Sequence, residues 1–132
     1  MKGLLLFVAL LGAMVLSSSS SSLSKASTAA HKQKATIQFN EPVRVHGVVL
    51  KGEYLFVHDD AAMMRGEACT YVYKGVAEAP DRLVASFHCV PAQRTKAATF
   101  TIRTAESSAG VWEPREFQFG GVTESHLVPP VN

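Results

Sequence analysis

Residues 69–90, CTYVYKGVAEAPDRLVASFHCV, hold two runs that alternate from residue to residue around a polar turn, with a cysteine at the start of the first and next to last in the second. Such alternation places successive side chains on opposite faces of an extended chain, and the Gly75 and Pro80-Asp81 between the runs are turn formers. The pattern predicts two antiparallel strands, 69–74 and 83–90, stapled by a disulfide between Cys69 and Cys89. Setting the cysteines opposite one another puts Tyr71 across from Phe87 and Tyr73 across from Ala85. Those residues then share one core-facing layer, and His88 falls on the other face.

The same period recurs outward from this pair. Ile37 and Phe39 fall on one face of residues 35–40, residues 43–46 alternate until Gly47, and 48–50 lead to a turn expected at Lys51-Gly52. Residues 53–58, EYLFVH, read as a strand apolar on both faces, and 99–104 and 115–119 alternate again. No stretch longer than a turn or two repeats at helical spacing, and 60–65 (DAAMMR) is the best place for a single helical turn. The expectation is an all-β domain of about seven strands, an antiparallel β-sandwich or small β-barrel. The final LVPPVN reads as an extended, unpaired tail.

Ahead of this domain, Met1-Lys2-Gly3 precedes thirteen apolar residues, 4–16, and six serines, 17–22. A basic start, an apolar run well short of the ~20 residues of a membrane-spanning helix, and small residues beyond it describe a signal peptide with its cleavage region over 1–30. A single secreted or periplasmic domain over 31–132 follows, with no transmembrane segment in the mature chain. Lys2 and Lys25 lie in the leader, so the remainder carries eleven basic and eleven acidic residues. That neutrality gives no footprint for nucleic acid. Two cysteines in an oxidising compartment are most simply a disulfide, and closing their 21-residue loop contributes about 3 kcal/mol.

The residues with chemical potential are few. His58-Asp59-Asp60 sets an imidazole beside two carboxylates, a combination able to bind a divalent cation or to move protons. Neighbours in an extended chain diverge, so a metal site needs distant donors from among His46, His88, Glu124 and His126. The metal alternative is therefore a site of His58, Asp59, His88 and His126 at one end of the domain. The plainer expectation is that Asp59 and Asp60 cap a turn while His58 hydrogen-bonds locally. His88-Cys89 suggests a thiol nucleophile with its base, but a disulfide removes the thiolate that such chemistry needs. Trp112, the one tryptophan, is either a loop anchor or a plug at the end of the domain.

The stretches FVHDDAAMMRGEACTYVY, VASFHCVPAQR and EFQFGGVTESHLVP together resemble a group of small secreted bacterial proteins, of acidobacterial type, with FVHDD, RGE-x-Cys, FHC-x-Pro, and EFQF followed by an acidic-x-His-x-x-Pro ending. The likeness spans about residues 43–129. It departs at Leu50-Lys51-Gly52, where a longer turn is usual, and at Leu127 in place of a glycine. It implies an exported β domain without specifying chemistry. The expected function is a non-enzymatic binding or structural module without a cofactor, held by one disulfide and meeting a protein or small-ligand partner. A periplasmic metal-binding protein is the alternative.

Overall fold

The computed structural model describes residues 31–108 and 110–131, and the expected leader, 1–30, lies outside the described residues. The described residues form eight strands: β1 (Lys32–Val45), β2 (Val48–Asp59), β3 (Thr70–Lys74), β4 (Leu83–Phe87), β5 (Val90–Gln93), β6 (Thr101–Glu106), β7 (Trp112–Gln118) and β8 (Glu124–Leu127). One short helix, α1 (Asp60–Met64), follows β2, and a 3-10 turn at Pro80–Arg82 precedes β4. The chain is all-β, as its alternation predicts. The strands make one sheet in the order β4-β3-β2-β1-β7-β8-β5, with β6 attached to β7, and the sheet curls into a half-barrel. Pairing is antiparallel except for one parallel contact, Val43 to Trp112 of β7.

β1 and β2 are long because their hairpin turns on only two residues. His46 (φ +46°) and Gly47 (φ +81°) both take left-handed dihedrals, the mirror-type turn whose twist matches that of the strands. The imidazole of His46 stacks on Phe87, with centroids 4.5 Å apart and planes 9° from parallel. The turn expected at Lys51-Gly52 is absent. β2 runs through it, and Gly52 (φ +98°) pairs with Phe39 beside a bulge in β1 that takes up Pro42.

The β3–β4 register also differs from expectation, by one residue. Thr70 faces Phe87, Tyr71 faces Ser86 and Val72 faces Ala85, with a further shift at Tyr73. Because side chains alternate, the slip moves every β3 residue to the other face. Val72 joins the core, and Tyr71 and Tyr73 pack with Leu55 and Val57 on the outside of the sheet. The cause lies at Phe87. β4 ends there and β5 begins at Val90, so Cys89 sits in a two-residue link and is no strand partner of Cys69. β8, a strand that the sequence reading did not anticipate, bonds to β5 and β7; of the segment read as an unpaired tail, Leu127 ends β8 and Val128 is buried.

The concave face holds an aromatic core of Phe39, Tyr54, Phe56, Phe87, Phe117 and Phe119, with Phe100 packed against it. β2 contributes Leu50, Tyr54 and Phe56 to this face and, two residues on, the fully buried His58. Here the chain must turn, and Asp59 starts the helix: its Oδ1 accepts from the amides of Ala61 (2.9 Å) and Ala62 (3.2 Å). Met64, the last residue of α1, is exposed. Asp59→Ala should lower stability by about 1 kcal/mol, with Asp59→Asn retaining most of it. Urea midpoints of the three chains measure this.

Candidate metal centre

Four chain segments meet where β2 ends. His58 comes from the inward row of β2, and His126 from β8, where it pairs with Phe117 and stacks on that ring at 5.0 Å. Cys69 immediately precedes β3, anchored by its amide to the Phe87 carbonyl (3.2 Å) and by its carbonyl to the Asp59 amide (2.8 Å). Cys89 follows β4, and its amide donates to Cys69 Sγ (3.2 Å). His58 and His126 are wholly buried, and the two cysteines nearly so.

Cys89 Sγ is the hub. It lies 3.6 Å from His58 Nδ1, 3.7 Å from His126 Nδ1 and 2.6 Å from Cys69 Sγ. The two sulfurs are close but not at the ~2.05 Å of a disulfide. The two imidazoles are 4.0 Å apart at their centroids. Each ring turns its other nitrogen toward a carboxylate: His58 Nε2 is 2.8 Å from Asp60 Oδ1, and His126 Nε2 is 3.7 Å from Glu124 Oε1. Donor atoms of His58, Cys69 and Cys89 lie within 4.8 Å of one another, as do those of His58, Glu124 and His126.

Burial sets the protonation of Cys89 and His126. It pushes the Cys89 thiol up to about 12, helped by the neighbouring Cys69, so at neutral pH this sulfur is a thiol and no nucleophile. Burial, reinforced by repulsion from His58, lowers His126 to about 4, which leaves its ring neutral with a lone pair to offer. The unfolded chain binds a proton at His126 near pH 6.5, whereas the folded chain resists until about pH 4. Stability from this residue is therefore complete above about pH 6.5 and falls as pH drops toward 4, by about 3 kcal/mol in the metal-free chain. Urea midpoints at pH 7 and pH 4.5 should show the loss, and a His126→Leu chain should vary less with pH.

Of the four expected metal ligands, the structure brings His58 and His126 together but not Asp59 or His88. Asp59 caps α1 as the plainer reading has it, and His58 bonds locally to Asp60. His88 is exposed, and the imidazoles against Cys89 come instead from residues 31 and 37 positions away. The cysteines were expected as a staple and were not among the expected metal donors, so the closeness of Cys89 to His58 and His126 was missed. The available signal was Glu124-Ser125-His126, whose outer two residues share one face of a strand.

Trp112 is no core plug. It is half-exposed on an apolar groove of about 390 Å³ with Ile37, Phe39, Pro42, Val43 and Ile102, which shares no lining residue with the histidine and cysteine cluster. No described helix is long and apolar enough to cross a membrane. Comparison with protein-family models, curated proteins and solved structures gives no match.

Proposed function

We propose that this chain is an exported metal-binding β domain in which His58, Cys69, Cys89 and His126 hold one Zn²⁺ ion. The observation that carries this reading is the aim of both imidazole Nδ1 atoms at one buried sulfur, each within 3.7 Å, with a second sulfur beside it. Two nitrogens and two sulfurs are the donor set of a closed tetrahedral zinc site. Asp60, bonded to the far nitrogen of His58, fixes the ring and tautomer as carboxylates behind metal-bound histidines do. With every position taken by protein, the ion holds the fold or is carried, and has no place left for a reacting water. The leader read at residues 1–30 supports export.

Ligation changes the cluster in two ways. Zn–S bonds of ~2.3 Å at tetrahedral angles set the sulfurs about 3.8 Å apart, so they must separate from their present 2.6 Å. Both thiols lose protons, which makes uptake tighter as pH rises. The three stretches on which the family resemblance rests also deliver all four ligands and both carboxylates.

A second reading, a rigid disulfide-stapled domain that binds a protein or small ligand, is favoured by the closeness of the two sulfurs. Elemental analysis and thiol counting on untagged chain, purified without reductant or chelator, separate the two. The zinc reading expects one metal per chain and two thiols after denaturation in chelator; no metal and no thiols would replace it with the staple.

A further inference from the structure

The histidine pair has two faces, and only one looks at sulfur. On the other, Glu124 and Asp60, both partly exposed, stand over the Nε2 atoms. His126 Nε2 is buried, in a residue with no solvent exposure, and has no hydrogen-bond partner among the described residues. An orphaned ring nitrogen of this kind is destabilising and uncommon. Its nearest carboxylate oxygen, Glu124 Oε1 at 3.7 Å, is too distant for a hydrogen bond. It is near the ~3.4 Å that separates two donors sharing one cation through bonds of 2.0–2.2 Å. His58 offers a donor within 4.8 Å of both, and Asp60 Oδ1 is already on His58 Nε2.

We infer that this outer face is a second divalent-cation site, formed by His58, His126 and Glu124 with Asp60 as the fourth ligand. Two neutral imidazoles and two carboxylates balance a 2+ ion, and nitrogen and oxygen donors suit Zn²⁺, Co²⁺ or Ni²⁺. The partly exposed carboxylates give the ion a way in from solvent. A neutral imidazole has one lone pair, on whichever nitrogen lacks the proton. The inner and outer sites therefore compete for the same two rings, and the thiols decide between them. With both sulfurs reduced, Nδ1 binds the inner ion and Nε2–H donates to the carboxylates. With the sulfurs joined, the inner set loses two of its four donors, the proton moves to Nδ1, and Nε2 faces outward. The oxidant is a low-molecular-weight disulfide: two protein thiols and one RSSR give one protein disulfide and two RSH, with no net proton change.

Co²⁺ titration of untagged full chain tests this, because thiolate ligation adds an intense charge-transfer band that nitrogen and oxygen ligands lack. The disulfide-oxidised chain should bind one Co²⁺ with weak visible bands only. Glu124→Gln should weaken that binding at least tenfold, and a Cys69→Ala/Cys89→Ala chain should behave like the oxidised parent. Failure of the oxidised chain to bind Co²⁺, or a Glu124→Gln titration matching the parent, overturns the outer site. The reduced parent reports on the inner site separately: a thiolate band there supports the zinc reading whatever the oxidised chain does, and its absence counts against that reading alone.

Discussion

Cys89→Ala should weaken Zn²⁺ binding by the reduced chain at least a hundredfold, the largest loss expected of any single substitution in the cluster. Cys89 Sγ is the one atom within 3.7 Å of the three other donors, and it lies on the two-residue link that joins β4 to β5. Removing it leaves two nitrogens and one sulfur around an opened position. Metal binding in such sites amounts to many kcal/mol, so the loss of one of four strong ligands extends well beyond tenfold. His88→Ala, one residue earlier but exposed, should leave the affinity within a factor of two, as should Asp59→Ala despite its cost to α1. Competition against a chromophoric chelator measures all three. Equal losses at positions 88 and 89 would point to a general loosening of the link in place of ligation.

Much of this arrangement was legible from local pattern. EYLFVH has apolar residues in both parities, and the structure buries both faces of β2, with Tyr54 and Phe56 inward and Leu55 and Val57 outward. Asp-rich residues after that strand predict a cap, and Asp59 is one. The register of β3 on β4 was not legible, because it was argued from a covalent link assumed to join strand partners. Cys89 lies beyond the end of β4, where pairing rules for strands no longer apply, and a one-residue error then reverses the face of every side chain on β3. β8 escaped for a different reason. Four residues, then Val128 and two prolines, carry too little alternation to announce a strand, and it forms because β5 and β7 supply partners on both sides.

The candidate centre illustrates the same division. Each of its residues was visible singly, but which ones converge depends on the curl of the sheet. β2 and β8 are three places apart in strand order, with β3 and β5 on their far sides, yet His58 and His126 lie with ring centroids 4.0 Å apart. No sequence spacing encodes that approach. The curl itself is filled by phenylalanine rings, which makes the site a dependent of the core.

Phe117→Ala should therefore act on both. Phe117 is fully buried at the middle of the aromatic cluster, with ring centroids 5.9 Å from Phe56, 6.4 Å from Phe87, 6.3 Å from Phe100 and 6.0 Å from Phe119. Truncation removes the transfer free energy of a whole ring and leaves a cavity that rigid neighbours on five strands and loops close only in part, a loss of about 3–5 kcal/mol. For a domain of roughly a hundred residues this is a large fraction of total stability. The same ring is the flat support on which His126 stacks at 5.0 Å, so its removal also frees that imidazole from the orientation that brings Nδ1 to Cys89. Phe117→Leu fills most of the volume and should lose much less stability, about 1.5 kcal/mol or less, while still removing the stacking surface. Urea unfolding of metal-free chains reads the first effect, and Zn²⁺ affinity under conditions where each variant is folded reads the second. A Phe117→Ala chain within 1 kcal/mol of the parent would mean that the half-barrel does not depend on this ring, and with it the argument that the core positions the histidines would fail.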